Sequence, residues 1–185
     1  MRRRGLLLAT AAAPASLAAC GSLGGTAPET FAARPGPPFA PERFFAGRLV
    51  SHGLFADRLG TIRRWFEADL DGTWDGATLT FAEVFRYDDG WVDRRTWRLR
   101  RDGPGRWRGT ATDIVGEAVG EEHGPAFTLR HTLDMLREGG GTRRLAFDQW
   151  FVRVSDEVAL SRAEVSWRGI VQIGTAQVAF RRLPP

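Results

Sequence analysis

The residues in this sequence best placed to do chemistry are charged side chains set on apolar strand faces. Glu83 falls in phase with Phe81 and Phe85, and Asp93 and Arg95 fall in phase with Trp91 and Trp97. Arg162 and Glu164 share a face with Val158 and Leu160, and His131 alternates with Leu129 and Leu133. A charge buried among such neighbours is costly unless it is paired. Two arrangements meet that condition. In one, Glu83, Arg95, Asp113, His131, Arg162 and Glu164 sit at a cavity mouth and hold a ligand's head group, with Trp and Phe around its tail, the usual make-up of a small-ligand pocket. In the other, the same charges form a structural network, or face solvent if a strand's phase slips by one residue. Paired carboxylates also permit acid–base hydrolysis, but nothing in the sequence fixes their separation, so no residue is given a catalytic role.

Other chemistries find little support. The three histidines, His52, His123 and His131, are scattered, and Cys20 is the single cysteine. No H-x-x-x-H or H-E-x-x-H spacing occurs, so neither a zinc site nor another cofactor is expected. There is no G-x-S-x-G nucleophile elbow. The glycines of Gly103–Gly105 and Gly139–Gly141 belong to hairpin turns and do not open a helix over a phosphate. A binding protein is the better reading than an enzyme.

Cys20 has chemistry of another kind. Arg2-Arg3-Arg4 precedes an uncharged stretch to Ala19, interrupted by Pro14, and Leu17-Ala18-Ala19-Cys20 resembles the lipobox of bacterial lipoproteins. A basic start, a short apolar run and small residues are the export-signal pattern, and the run is shorter than the ~20 residues a membrane span needs. Residues 1–19 therefore read as a signal peptide and Cys20 as the lipidated N-terminus. Several acyl chains at ~0.8 kcal/mol per buried CH₂ anchor a protein durably. Arg3-Arg4 partly matches a twin-arginine signal. Gly21 rather than Asp follows the cysteine, which suits transport to the outer membrane, with the protein facing the periplasm; retention on the outer side of the inner membrane is the alternative.

Composition bounds the rest. The 185 residues contain 26 basic side chains, every one an arginine, against 22 acids, for a formal charge of +4. Three arginines leave with the signal, so the mature chain is close to neutral and lacks the clustered excess of a nucleic-acid binder. One lipidated cysteine leaves none for a disulfide. Residues 20–41 are rich in Gly, Ala, Ser and Pro and read as a tether, with the folded domain over 42–185.

The elements that must position the charges are strands. Period-two alternation runs through 61–71, 77–87, 91–101, 106–115, 126–136 and 142–154, and further strands fall near 157–166 and 169–182. Asp75-Gly76, Asp88-Asp89-Gly90 and Asp102-Gly103 mark the turns. The sequence thus predicts an all-β fold of eight to ten sequential antiparallel strands. An up-and-down barrel removes the exposed edges; a two-sheet sandwich is the alternative. Phe66, Phe81, Phe85, Trp97, Leu129 and Phe147 are expected to point inward, with Glu83, Arg95 and Arg162 approaching one another.

Several segments carry a family resemblance: Gly53–Arg58, Gly72–Gly76, Phe85–Gly90, Trp97, Gly109–Ala111, Asp113–Ala118 and Ser161–Glu164. In order and spacing they resemble DUF3833, a family of bacterial lipoproteins, from about residue 42 to the end. The resemblance implies a lipocalin-like β-barrel, a lipobox upstream, and an association with membrane fatty-acid modification, without an activity or catalytic residues. The combined expectation is a membrane-anchored envelope lipoprotein that binds a hydrophobic or fatty-acyl ligand. The alternatives are a structural or interaction lipoprotein whose barrel is filled, which barrel volume separates from the binding reading, and behind it an enzyme acting on lipid.

Overall fold

The computed structural model describes residues 29–136 and 140–184. Cys20, the lipobox and Gly139 lie outside the described residues. Ten antiparallel strands close into a barrel: β1 (Gly47–Asp57), β2 (Ile62–Trp74), β3 (Thr78–Tyr87), β4 (Val92–Arg101), β5 (Arg106–Ala111), β6 (Ala118–His123), β7 (Ala126–Leu136), β8 (Thr142–Arg153), β9 (Val158–Trp167) and β10 (Val171–Arg182). Each strand pairs with its neighbours in sequence, and β1 pairs with β10, so the closed sheet has no exposed edge. The all-β, up-and-down barrel read from the alternation is the observed fold.

Two strands leave little trace in the sequence. The inward face of β6 consists of Ala118, Gly120 and Glu122, with no large apolar residue to mark a period. A Cβ on Gly120 would come within 2.5 Å of the Phe127 ring, so the small residue makes room for its neighbour. In β1 the inward series Leu49, Ser51, Gly53 likewise mixes apolar with small residues.

The barrel has a closed end and an open end. Two short helices, α1 (Glu29–Ala32) and α2 (Pro41–Phe44), precede β1. The chain from Phe39 to Phe45 folds under the barrel and plugs it. Phe39, Phe44 and Phe45 are almost fully buried. Phe45 stacks on Phe81 at 5.0 Å and meets Phe151 edge-on at 5.6 Å. Gly72 is needed at this contact, because a Cβ there would fall 1.9 Å from the Phe45 carbonyl oxygen. The Arg182 guanidinium donates to the carbonyls of Arg43 and Phe44, and Arg101 pairs with Glu42 at 2.5 Å.

The plug corrects the domain boundary read from the sequence. The folded body extends upstream of Glu42, since Phe39 is only 1% exposed and Phe31 packs on Trp150 at 5.4 Å. An isolated Phe among prolines carries no periodicity, so nothing in the local pattern marks it as a core residue.

The outer wall is charged. Arg63, Glu67, Asp69 and Asp71 face out from β2, and Arg86 bridges to Asp69 at 2.7 Å and to Glu67 at 3.6 Å. Such a wall does not suit lipid, where a midplane Arg on the lipid face of a barrel costs ~2–4 kcal/mol. Among the described residues no helix is long and apolar enough to cross a membrane.

Candidate functional site

A cavity of about 320 Å³ occupies the barrel above the plug. Its floor is aromatic, from Phe45, Phe81, Phe127, Phe151 and Phe180. Phe66, Phe81, Phe85, Trp97, Leu129 and Phe147, the six residues expected to point inward, all line it. On β9 the inward positions are Ala159, Ser161, Ala163 and Val165, all buried. Small side chains on that wall leave space where bulkier ones would fill the barrel.

A charged cluster is set into the cavity wall. Glu83 and Arg95 face each other across the β3–β4 pair. The Trp97 indole donates to Glu83 Oε2 at 2.9 Å, and an Arg95 guanidinium nitrogen lies 4.0 Å from the same oxygen. Arg95 holds Asp113 in a bidentate pair, with bonds of 2.7–2.9 Å. Asp113 belongs to the loop between β5 and β6. That loop is fixed against β7 by an Ile114–Leu133 bridge and by the Val115 amide bonding the Thr132 carbonyl at 2.8 Å.

Burial sets the electrostatics. It pushes the Glu83 carboxyl up to about 6 from an ordinary 4.5, against the opposing pull of Arg95 and the Trp97 hydrogen bond. Burial also disfavours the charge of Arg95, but Asp113 and Glu83 more than offset it, and the guanidinium is held charged. His131 sits edge-on to Trp97 and stacked on Phe147, each at 5.1 Å. Burial, reinforced by Arg95, drives its imidazole down to about 3 from 6.5, so it is neutral at pH 7. A hydrogen bond with the Leu129 backbone opposes that shift, while the buried Ser51 Oγ makes no hydrogen bond among the described residues.

Of the residues expected at a head-group site, the structure therefore brings Glu83, Arg95, Asp113 and His131 together. It places Arg162 and Glu164 elsewhere. They lie on the outer wall, about half exposed, paired with each other at 3.5 Å. The inward phase of β9 is one residue away from the expected one. Leu160 suggests an inward face, yet it is 50% exposed, while the true inward face carries alanine, serine and valine.

Four further polar residues line the cavity without having been expected there: Ser51, Arg64, Arg143 and Gln149. Arg64 is legible, since it lies two residues before Phe66 in the same alternation. Its guanidinium stacks on Tyr87 at 3.7 Å and pairs with Asp89 at 2.7 Å near the open end. No group of three or more His, Cys, Asp or Glu able to hold a metal occurs among the described residues.

The family model described as "Protein of unknown function (DUF3833)" matches residues 15–182. The chain belongs to the DUF3833 family. The match starts upstream of Cys20 and spans all ten strands of the barrel. No curated protein matches it in sequence. Among solved structures the chain is similar to the S-type phycobiliprotein lyase CPES from Guillardia theta, with a TM-score of 0.60 and 12% identity, covering 85% of this chain and 98% of that one. It also overlaps a protein of unknown function of the DUF3598 family from Nostoc punctiforme, with a TM-score of 0.48 and 10% identity, covering 79% of this chain and 50% of that one. The first likeness shows that this DUF3833 member has a lipocalin-like barrel; at such identity it shows the fold alone.

Proposed function

We propose that this DUF3833 protein binds one elongated apolar or amphipathic molecule, of fatty-acyl type, inside its barrel, and does so as a lipid-anchored protein of the cell envelope. The observation that carries the binding reading is the cavity: about 320 Å³, apolar and aromatic, with the polar side chains of Glu83, Arg95 and His131 among its lining residues. Pockets for small ligands have this volume and this mixture. The alternative of a structural barrel requires a packed interior, and this one is open.

The apolar floor suits a hydrocarbon tail. Glu83, Arg95, Asp113 and His131 lie between the floor and the mouth, where a head group would rest. Arg95 is already neutralised by Asp113, so the cluster offers hydrogen bonds more than net charge.

The envelope reading rests on Cys20 and the segment before it. One experiment addresses both parts: mass spectrometry of the full chain extracted from its host's membranes in mild detergent. The expected species starts at Cys20, carries acyl chains, and retains one apolar molecule that denaturation releases. An unmodified chain keeping residues 1–19 would overturn the anchor, and recovery with no small molecule would count against the ligand.

A further inference from the structure

We propose that the rim of the barrel's open end docks on an anionic lipid bilayer. Among the described residues eleven large apolar side chains are exposed, and nine of them lie at or beside the open end. They come from the turns and strand ends that surround the mouth. Leu59 and Ile62 lie in and just after the β1–β2 turn, Trp91 and Val92 in and just after the β3–β4 turn, and Ile170 and Val171 in and just after the β9–β10 turn. Leu59 and Ile170, at the turns themselves, are 81% and 85% exposed. Scattered exposed leucines need no explanation, but a ring of this kind on one end of a charged barrel does.

The β1–β2 and β9–β10 hairpins form one continuous lip. β1 pairs with β10 up to Asp57 and Gly174, and the Arg58 amide donates to the Ile173 carbonyl at 3.1 Å. Arg58 stands next to Leu59 and Arg168 two residues before Ile170, while Arg168 packs over the Trp167 ring at 5.1 Å. The two turns, 58–61 and 168–170, contain no acid. The nearest, Asp57, is held by Arg63 at 2.7 Å and by the Leu59 and Thr61 amides. Protruding Leu and Ile, tryptophans behind them and arginines alongside match the three layers of a bilayer interface: acyl chains, headgroup boundary and phosphates.

A second copy of the chain is a poorer occupant. An isologous contact through this lip would bring the same arginines, Arg58 and Arg168, from both copies into one interface. The described chain also enters and leaves the barrel at the closed end, so rim docking is separate from any anchor upstream of Glu29. Ile173 belongs both to the cavity wall and to the cleft beside Arg58 and Leu59, so only this side chain need move for an apolar molecule to pass from the lip towards the interior. That path rests on the ligand-binding reading; the docking surface does not.

The test uses the full chain with Cys20→Ser, so that a single introduced cysteine takes an environment-sensitive fluorophore. Labels go at Leu59→Cys and Ile170→Cys on the rim and at Glu157→Cys on the closed end. Phosphatidylcholine vesicles with and without phosphatidylglycerol are the probes. Both rim labels should shift to the blue and brighten several-fold on anionic vesicles, less in high salt, with no change at Glu157. Arg58→Glu with Arg168→Glu should abolish the shift. Unmoved rim labels, or an equal response at Glu157, would overturn the proposal. So would a vesicle-independent shift that grows with protein concentration, the mark of a second copy. Filling the cavity with Ala163→Trp should leave the rim response in place, so a failed ligand reading and a failed docking reading give different results.

Discussion

Glu83 and His131 titrate in opposite senses, and this gives the site a signature in pH. Glu83 has its folded value raised to about 6 from 4.5, so the folded protein holds that proton more tightly and loses stability as pH rises through this window. His131 has its folded value lowered to about 3 from 6.5, so it contributes stability that is complete above 6.5 and is lost as pH falls towards 3. Between 4.5 and 6 the two slopes oppose. Glu83→Gln should remove the opposing slope, so that stability rises throughout from pH 3 to 6.5. His131→Phe should expose the glutamate alone, with stability falling by up to about 2 kcal/mol between pH 4.5 and 6, since each pH unit between the two values corresponds to ~1.36 kcal/mol. Denaturant midpoints read at each pH check both. Identical profiles for parent and variants would show that neither group is buried as described. Glu83, Arg95 and His131 are legible in the sequence because each interrupts an apolar face whose other members are large. Arg162 and Glu164 mislead because the inward face of β9 is small, and Leu160 outweighs the alanines.

At the level of elements, turns and long strands are legible, and the plug is not. β2, β3, β4, β7 and β8 have strong alternation bounded by Gly- and Asp-containing turns, so their ends fall close to the expected ones. The Phe39–Phe45 segment has neither period nor length, and its place is decided by the cavity floor it closes. Phe39 touches Phe44, Phe45, Phe127 and Phe151, with ring centroids 5.2–5.9 Å apart. Phe39→Ala should therefore cost about 3–5 kcal/mol, the usual cost of deleting a buried ring. A chain shortened to begin at Glu42 should be destabilised at least as much. Thermal or urea unfolding followed by circular dichroism checks this. A shortened chain as stable as the parent would mean that the plug does not support the barrel.

Across the whole molecule, a charged wall, a plugged end and an open, apolar-rimmed end enclose a single apolar space. The closed barrel is legible from successive runs of strand and turn, because sequential antiparallel strands must either close or expose edges. The volume inside is not, since alternation marks which residues face inward but not how much space they leave. Ala163 and Val165 decide that volume, and neither stands out in the sequence. The most direct test is a saturation titration of the full chain with a fluorescent fatty acid, run beside Ala163→Trp, whose indole would enter the cavity from the wall shared with Gln149 and Ala176. Circular dichroism of the variant establishes that it folds, and Ala176→Phe, on the same cavity wall, replaces it if it does not. The account predicts one saturable site per parent chain and at least a tenfold weaker site, ~1.4 kcal/mol or more, in the folded variant. Absence of saturable binding in the parent, or equal binding by parent and cavity-filled variant, would contradict it.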